Sequence, residues 1–271
     1  MNLKDYLISP DWPAPANVKA LQTTRQSGLS AAPYDSLNLG DHVGDAPMTV
    51  ARNRMLLNTL LPSEPVWLQQ VHGTAVANAD QAGCRVQADA CIARQRGSVC
   101  VVMTADCLPV LLCDKQGSVV GVAHAGWKGL EAGVIEATVH AMEVEPQNLM
   151  AWLGPAISQQ AFEVGGEVRA VFVNADPQAA AAFVPSLALK GTLSPSGREN
   201  QLPSTASGRG VGGEGDKWFA DIYALARLRL AALGITQVYG GDHCTYGERD
   251  HFFSYRRDGV TGRMGTFIWL E

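Results

Sequence analysis

The 271-residue sequence has the composition of an ordinary globular protein, with 46% hydrophobic and 17% charged residues. Its formal net charge of -5 argues against broad nucleic-acid binding, which usually requires a basic face. No apolar run reaches the length of a membrane span, and the N-terminal residues do not resemble a secretory signal. We therefore expect a cytoplasmic protein that binds neither nucleic acid nor membrane, and whose six cysteines are not paired in disulfides.

The predicted elements alternate between strands and helices, which indicates an α/β fold. Apolar runs rich in Val and Leu predict strands at 65–73, 98–105, 108–113, 118–125, 148–157, 235–241 and 265–270. Helical spacing of apolar residues predicts helices at 126–144, 162–174 and 217–234. The last helix has Phe219, Ile222 and Leu230 on its apolar stripe, and Gly234 is expected to cap its C-terminus.

The segment 190–216 differs from the rest of the chain, because 13 of its 27 residues are Gly, Ser or Pro. Such a composition buries too little apolar surface to offset the entropy of ordering. We predict that 190–216 is a flexible surface insertion within a single domain spanning 1–271. A lid over the active site is the alternative.

Reactive side chains interrupt the most apolar part of the sequence at Asp106-Cys107 and at His124. The connection "DKQG" (114–117) predicts a hairpin. If Cys113 pairs with Ser118, Cys107 lies directly opposite His124, with Cβ atoms about 4.5–5.5 Å apart. A thiolate and an imidazole at that distance could share a metal ion or form a histidine-activated nucleophile. A buried thiol beside a hydrogen-bonded histidine is the purely structural alternative.

His72 is the natural third member of this group, because it also ends a predicted strand and is followed by glycine. Two histidines and one cysteine make a three-ligand zinc site with an open fourth position, as catalytic zinc sites have. The separations of these residues match no short metal-binding motif, so the spacing alone is a weak signal.

Six ordered motifs give the chain a specific resemblance: WLQQVHG, TADCLPVLL, AHAGWKGL, WLGPAIS, FEVG and SYRRDGVTGRMGTFIWL. They resemble the YfiH/PgeF laccase-domain family, also called multicopper polyphenol oxidase-like. The resemblance covers nearly the whole chain apart from 190–216. It implies a mixed-sheet α/β/β/α layered sandwich and one zinc ion held by His72, Cys107 and His124.

The same resemblance implies a purine nucleoside phosphorylase acting on adenosine, inosine and methylthioadenosine, with adenosine deaminase activity. It also implies a role in editing peptidoglycan precursors. The expected partners are therefore a purine nucleoside and phosphate, or a peptidoglycan precursor. Copper could substitute for zinc, since Cu(II) binds more tightly than zinc at many nitrogen and sulfur sites.

Asp106 is the first candidate for a proton carrier, because no H-x-E element is present. As a strand neighbour of Cys107, however, it should face the opposite side and hold backbone or a histidine. Phosphate could bind at the strand-to-helix junction beside Lys128, where backbone N–H groups are exposed. The further cationic candidates are Arg54, Arg256, Arg257 and Arg263.

Two further side chains are candidates for nucleoside binding. Asn38 could bind ribose or base, or shape a turn, and Trp127 could stack on a base or pack in the core. His243-Cys244 is the rival metal or catalytic pair, while His42, His140 and His251 lack a comparable setting.

Three other functions are open at this stage. Cys107 and His124 could form a cysteine hydrolase or amidase acting on a peptidoglycan precursor. Copper at the same ligands could give weak polyphenol oxidation, although six scattered histidines without an H-x-H pair cannot build coupled copper centres. A protein that only binds metal or precursor is the third.

Overall fold

The computed structural model describes residues 3–81, 86–186 and 217–271. The predicted insertion at 190–216 lies outside these residues. Contacts divide the chain into two compact units, which are Met1–Ser158 with Ile222–Glu271, and Gln159–Asp221. The single domain over 1–271 with a flexible insertion stays a prediction.

Helices and strands alternate along the described residues, as the apolar pattern predicts. The α-helices α1 to α6 are Pro47–Leu57, Trp127–Ala132, Val134–Ala141, Gly166–Ala175, Ile222–Ala232 and Tyr255–Asp258. Short 3-10 helices are Leu3–Tyr6, Pro146–Asn148 and Pro177–Ala182. The strands β1 to β15 are Leu7–Ile8, Val18–Thr23, Leu68–Gln69, Val76–Asn78, Val86–Gln87, Ala90–Ala93, Cys100–Thr104, Leu108–Asp114, Val120–Ala125, Leu149–Leu153, Glu163–Val164, Phe183–Pro185, Trp218–Ala220, Val238–Gly240 and Met264–Leu270. None of the helices in the described residues is long and apolar enough to cross a membrane.

Two sheets face each other in the larger unit. Sheet 1 has the strand order β1-β2-β15-β7, and sheet 2 has the order β14-β10-β8-β9-β6-β4. Sheet 1 is antiparallel, whereas sheet 2 is mixed, because β14 and β4 join its edges in parallel. Val102 and Ile268 of sheet 1 share a buried core with Leu111, Val122 and Trp152 of sheet 2. Burying both inner faces in this way supplies most of the driving force for folding.

Helices cover the outer faces of both sheets. Val101 and Phe267 on the outer face of sheet 1 form a second core with Leu57 of α1. On sheet 2, α3 packs against β9 and β6, and α5 packs against α3. The layers therefore follow the order α/β/β/α with a mixed sheet, which confirms the fold class implied by the resemblance.

The smaller unit has a sheet of its own with the order β11-β13-β12, in which all pairs are antiparallel. The Arg169 guanidinium lies 4.3 Å from the centre of the Trp218 ring. Phe172 of α4 contacts Phe183 with ring centroids 6.1 Å apart. This unit contains the predicted helix 162–174, which begins at Gly166 because Glu163 and Val164 pair with β13.

Several predicted element boundaries are wrong, and three of these errors change an element substantially. The predicted helix 126–144 is divided into α2 and α3 at Gly133, whose φ of +97° is left-handed. The predicted helix 217–234 begins only at Ile222, because Phe219 pairs in β13. The predicted strand 65–73 contains only β3, since the chain turns away before His72. Gly234 has the expected left-handed φ of +89° after α5.

The β8–β9 hairpin forms, but its predicted register is wrong by two residues. Cys113 pairs with Val120 rather than Ser118, and His124 pairs with Pro109 rather than Cys107. The cause is Asp114, whose carboxylate accepts hydrogen bonds from the Ser118 N–H, the Ser118 hydroxyl and the Val119 N–H. These bonds widen the connection beyond four residues. Because side chains alternate with period two, a shift of two residues leaves every side chain on its predicted face.

We expect Gly133→Ala to destabilise the protein through backbone conformation alone. A Cβ at Gly133 would have space, with its nearest neighbour 3.5 Å away, but φ is +97°. The left-handed region costs a non-glycine residue about 1–2 kcal/mol, so the melting temperature should fall by about 2–4 °C. Gly247→Ala is the matched control, because its Cβ would also meet only ordinary contacts and its φ is not left-handed. Equal melting temperatures for the two variants would contradict this account.

Candidate metal centre

The structure brings the three predicted ligands together. His72 follows β3, Cys107 directly precedes β8, and His124 lies in β9. One ligand atom from each residue lies within 4.8 Å of the others, and no second such group occurs among the residues described. Cys107 Sγ is 3.7 Å from His72 Nε2, and the two imidazole rings are 4.7 Å apart between centroids. A single ion could therefore contact all three side chains.

The chain adopts unusual backbone conformations next to this group. His72 has a φ of +61° and Asp106 has a φ of +91°, although neither is glycine. Such conformations cost about 1–3 kcal/mol each and persist where surrounding contacts enforce them. Here they turn the chain sharply at His72 and immediately before Cys107.

Gly126, between β9 and α2, allows the ligands to approach each other. A Cβ at Gly126 would lie 2.8 Å from His72 Cδ2 and 2.9 Å from Cys107 Sγ, which is closer than real Cβ contacts. The missing side chain therefore leaves a space bounded by two of the ligands. Two imidazole nitrogens and one thiolate fit a divalent zinc or copper ion, with a fourth position left open.

The group is also electrostatically prepared to bind a cation. Burial opposes ionisation of the Cys107 thiol, but the charges and hydrogen bonds of His124 and His72 lower its pKa to about 6. Burial likewise opposes protonation of His124, but Cys107 and the hydrogen bond to Asp89 raise its pKa to about 9. Without a metal ion, the pair is therefore a thiolate beside an imidazolium at neutral pH. A ligand histidine must be neutral, so His124 would have to release one of its two ring protons on binding a metal ion.

Asp89 is a site residue that sequence reasoning missed. It is fully buried, and its Oδ1 lies 2.8 Å from His124 Nδ1. The backbone N–H groups of Val71, His72 and Gly73 also donate to this carboxylate. Although burial raises the pKa of a carboxyl group, these hydrogen bonds hold the pKa of Asp89 below its usual value. The available sequence signal was an acidic residue directly before the buried strand β6.

Both carboxylate oxygens of Asp106 accept hydrogen bonds, which argues against a role as a free proton carrier. The Thr245 hydroxyl donates to its Oδ1 at 2.6 Å, and the Arg256 backbone N–H donates to its Oδ2 at 2.6 Å. Its carbonyl oxygen accepts a hydrogen bond from the Ile157 N–H. Asp106 therefore ties the turn before Cys107 to three other segments, in line with the expectation that it holds backbone.

A cavity of about 560 Å³ is lined by residues that lie close in the sequence to two of the predicted ligands. The Gln70 side chain, in its lining, accepts a hydrogen bond from the Met103 N–H and donates one to the Met103 carbonyl. Gln70 precedes His72 by two residues and Met103 precedes Cys107 by four, so the cavity adjoins two ligand segments. Its lining residues are Asp41, His42, Arg54, Pro65, Trp67, Leu68, Gln69, Gln70 and Met103.

Of the predicted substrate-binding residues, Arg54 lines this cavity. Its Nε and Nη2 donate to the Leu39 carbonyl, and its guanidinium lies 3.9 Å from the centre of the Trp67 ring. An ion pair of 3.6 Å joins it to Asp41. Arg263 is a second, half-buried cation of this region, since its charge affects the pKa of His42 and interacts with Cys107. Burial lowers the pKa of Arg263, while the Cys107 and Asp106 charges oppose that effect.

Asn38 is saturated by internal hydrogen bonds. Its Nδ2 donates to the Gly40 carbonyl and to Asp45, while its Oδ1 accepts from the N–H groups of Gly40 and Arg263. These four bonds use the full capacity of a side-chain amide. Asn38 is fully buried, and these contacts favour the turn role. Contact with ribose or base stays a prediction.

The remaining candidates lie on the surface or in structural contacts. Lys128 is exposed, with its Nζ 5.7 Å from the centre of the half-buried Trp127 ring. Arg256 is exposed as well. Arg257 donates to the carbonyl groups of Thr245, Tyr246 and Phe252. Substrate binding by Lys128 and Arg256 stays a prediction.

The rival pair His243-Cys244 belongs to a different set of contacts. His243 Nδ1 lies 3.0 Å from Glu248 Oε2, and the Cys244 thiol hydrogen-bonds to Ser158 Oγ at 2.9 Å. Neither residue joins the group of possible metal ligands. Cys91, Cys100 and Cys113 are buried free thiols, as expected, while Cys84 lies outside the described residues.

The low pKa of Cys107 predicts selective alkylation of the metal-free protein. With a pKa of about 6, the reactive thiolate predominates at pH 7, and the rate with iodoacetamide should fall about tenfold between pH 7 and pH 5. Cys113 is the internal control, because burial raises its pKa to about 12. Peptide mass spectrometry after chelation of metals would measure both sites. A Cys107 rate that rises only above pH 8 would contradict the prediction.

Comparisons with known proteins show which family the chain belongs to. The model of a family described as multi-copper polyphenol oxidoreductase laccase matches residues 19–271. The purine nucleoside phosphorylase YfiH of Escherichia coli K12 is 50% identical over 97% of this chain and 98% of its own length. A purine nucleoside phosphorylase of Pseudomonas aeruginosa is 48% identical over 97% of this chain and 98% of its own.

Two solved structures share the fold. A Neisseria meningitidis protein matches with a TM-score of 0.83 and 48% identity, covering 98% of this chain and 99% of its own. YlmD from Geobacillus stearothermophilus matches with a TM-score of 0.75 and 29% identity, covering 96% of this chain and 94% of its own. The chain belongs to the multi-copper polyphenol oxidoreductase laccase family, within which it is similar to YfiH proteins.

Proposed function

We propose that this chain is a zinc-dependent purine nucleoside phosphorylase that acts on adenosine, inosine and methylthioadenosine. The observation that carries the proposal is the convergence of His72, Cys107 and His124. A cavity lined by Arg54 and by residues of the chain segments that precede His72 and Cys107 accompanies it. Relatives that are 50% and 48% identical are named purine nucleoside phosphorylases, which supports the same activity here.

Zinc is the ion that we assign to this group. Three nitrogen and sulfur ligands with an open position are typical of catalytic rather than structural zinc sites. When bound, zinc supplies Lewis-acid stabilisation of developing negative charge. His72, Cys107 and His124 would hold the ion, and Asp89 lies behind His124.

In phosphorolysis, a phosphate oxygen bonds to C1′ of the ribose while the C1′–N9 bond breaks. The electron pair of the broken bond passes to the purine, which takes up a proton. We assign Arg54 to the phosphate, because its guanidinium lines the cavity and is held by Leu39 and Trp67. A fixed guanidinium binds phosphate oxygens through directed N–H groups.

His42 is the cavity residue that we assign to the nucleoside. Burial and the nearby positive charges of Arg263 and Arg54 lower its pKa, although Asp41 opposes them. The imidazole is therefore neutral at pH 7, and it can both donate and accept hydrogen bonds with ribose or purine. Trp67 and Met103 supply apolar surface for the base.

The resemblance adds adenosine deamination and peptidoglycan precursor editing to the proposal. Deamination exchanges the C6 amino group for an oxygen from water and releases ammonia, so it does not require phosphate. Purified protein incubated with adenosine should therefore form adenine only with phosphate, whereas inosine would form without it. A serine-containing muropeptide precursor in parallel incubations tests the cell-wall substrate.

A cysteine hydrolase is the second candidate, and one observation favours it. The pKa of Cys107 is lowered to about 6 beside His124, as in a thiolate nucleophile with its histidine partner. The two candidates differ in their metal requirement. Chelation should abolish a zinc-dependent activity, whereas a cysteine hydrolase should remain active without metal and be lost on alkylation.

We do not extend multicopper oxidation from the family description to this chain. Coupled copper centres need many imidazole ligands, and the chain has six histidines in total. Only His72 and His124 contribute to the ligand group found in the described residues. Copper at these three ligands could still give weak phenol oxidation, so the copper-loaded protein should be assayed with a phenol beside the zinc-loaded form.

Replacing any ligand should remove both metal and activity. We expect His72→Ala, Cys107→Ala and His124→Ala each to lose most of the bound zinc, because only two ligands then remain. Phosphorolysis of adenosine should fall more than about 100-fold, since changes to residues that merely orient a ligand already cost about 10–100-fold. Elemental analysis and phosphorolysis rates measure the two effects.

His243→Ala and Cys244→Ala are the controls for these variants, because their side chains contact Glu248 and Ser158 instead. Both should keep zinc and turnover. A fully zinc-loaded Cys107→Ala protein, or an active metal-free wild type, would reject the zinc proposal. The second result would favour the cysteine hydrolase.

The assignment of Arg54 predicts a selective effect on phosphate. Arg54→Lys keeps the charge but loses the directed pair of N–H groups, so KM for phosphate should rise about tenfold or more, as expected for a lost charged hydrogen bond of about 1.5–3 kcal/mol. KM for adenosine should change little. Arg52→Lys, an exposed position of the same helix, is the matched control. Equal phosphate KM values for wild type and Arg54→Lys would refute the assignment.

A further inference from the structure

One buried carboxylate contacts both histidines of the metal centre. Asp89 Oδ1 lies 2.8 Å from the His124 ring nitrogen Nδ1 and accepts the His72 backbone N–H at 2.9 Å. Its carbonyl oxygen also accepts the His124 backbone N–H at 2.7 Å. Asp89 is completely buried, so these contacts are shielded from water and are stronger than they would be at the surface.

The hydrogen bond between Asp89 and His124 determines which ring nitrogen of His124 can bind a metal ion. A proton on Nδ1 that is donated to Asp89 leaves Nε2 with its lone pair directed away from the carboxylate. Histidine ligands in metal sites commonly donate their other N–H to a carboxylate, which fixes the tautomer and makes the ligand more basic. The negative charge of Asp89 also offsets part of the charge that a bound cation brings into a buried region.

The hydrogen bonds between the Asp89 carboxylate and the backbone of residues 71–73 determine where the second histidine, His72, lies. Three consecutive N–H groups, from Val71, His72 and Gly73, point at the same carboxylate at distances of 2.7 to 3.0 Å. Successive N–H groups directed at one anion form a concave anion-binding turn. At its centre, His72 is held at a φ of +61°, which directs its ring towards His124 and Cys107.

We propose that Asp89 is a positioning residue that sets both histidine ligands for one metal ion, through the ring of His124 and the backbone of His72. The inference rests on the metal-dependent function proposed above, and it adds a residue outside the ligand set. The hydrogen bonds of the Asp89 side chain go to His124 and to the backbone at 71–73, so we expect its influence on turnover to pass through the two histidines.

Asp89→Asn is the discriminating variant, because it keeps the size of the side chain. An amide has one oxygen for four donors, so its NH₂ group must face either a backbone N–H or His124. If His124 accepts from that NH₂ through Nδ1, its proton moves to Nε2, and the nitrogen that should bind the ion is blocked. We expect the affinity for Zn²⁺, measured by competition with a chromophoric chelator, to fall about 10–100-fold.

Asp114→Asn is the matched control for the loss of a buried carboxylate. Asp114 is 3% exposed and accepts bonds from two backbone N–H groups and the Ser118 hydroxyl. It lies at the opposite end of β8 from Cys107, so this variant should lower the melting temperature while leaving Zn²⁺ affinity unchanged. Equal losses of affinity in both variants would show a general effect of destabilisation and overturn the proposal.

A second measurement does not depend on the folding of any variant. In zinc-loaded wild-type protein labelled with ¹⁵N, the nitrogen shifts of His124 should show a protonated Nδ1 and a metal-bound Nε2. A metal-bound Nδ1, or an Asp89→Asn protein with wild-type Zn²⁺ affinity, would overturn the role of Asp89 while leaving the zinc enzyme intact. A wild-type protein that binds no Zn²⁺ would reject the metal centre itself, and the role of Asp89 with it.

Discussion

The close approach of His72, Cys107 and the backbone at Gly126 is the constraint on which the site depends. A single methyl group at Gly126 would occupy the space between the two ligand side chains. The β8–β9 hairpin fixes the positions of Cys107 and Gly126, since the first directly precedes β8 and the second directly follows β9. His72 comes from a separate segment and completes the group only because its backbone turns there at a positive φ. The backbone conformation at these positions therefore brings together the three side chains of the candidate metal centre.

The position of the group also resolves a conflict between burial and charge. β8 and β9 are buried along their whole lengths, where an unpaired ionisable group would cost several kcal/mol. Cys107 lies just outside β8, while His124, inside β9, has Asp89 as its partner. The charges therefore compensate one another: the Asp89 carboxylate and the Cys107 thiolate both favour a protonated His124. Replacing that proton by a metal ion keeps a positive charge between the same two anions.

The period of apolar residues was sufficient to predict an α/β fold, and its interruptions selected Cys107 and His124 as candidate ligands. The α/β/β/α layering was implied only by the family resemblance. The register of the hairpin was not predictable in this way. Asp114 binds three groups of its own turn, and a side-chain contact of this kind overrides the loop length that the turn residues suggest. The predicted pairing of Cys107 with His124 was wrong, but the two side chains still come together, because a shift of two residues preserves the faces of a strand.

Asp89 escaped prediction for a related reason. Its partners at 71–73 are 16 to 18 residues away in the sequence, and they are brought near by the parallel pairing of Leu68 in β3 with Val86 in β5. Such a pairing of two-residue strands has no periodicity to detect. Asn38 is the opposite case, a residue that the sequence suggested as a substrate contact. All four hydrogen bonds of its side-chain amide are made to other residues of the protein. The role of such a polar loop residue thus becomes clear only once its hydrogen-bond partners are known.

The acidic net charge of the chain is compatible with the phosphate binding proposed for this cavity, because the relevant electrostatic field is local. Arg54 and Arg263 both lie near enough to His42 to lower its pKa, although the protein as a whole carries a formal charge of -5. The Arg54 guanidinium is held by the Leu39 carbonyl and the Trp67 ring. The Arg263 guanidinium donates to the carbonyl groups of Thr261 and Gly262, so neither cation has to be ordered when an anion arrives. Preorganised charges in a partly enclosed cavity are worth more than the same charges on a mobile surface. A small dianion can therefore be attracted to this cavity while the acidic surface elsewhere disfavours long polyanions such as nucleic acids.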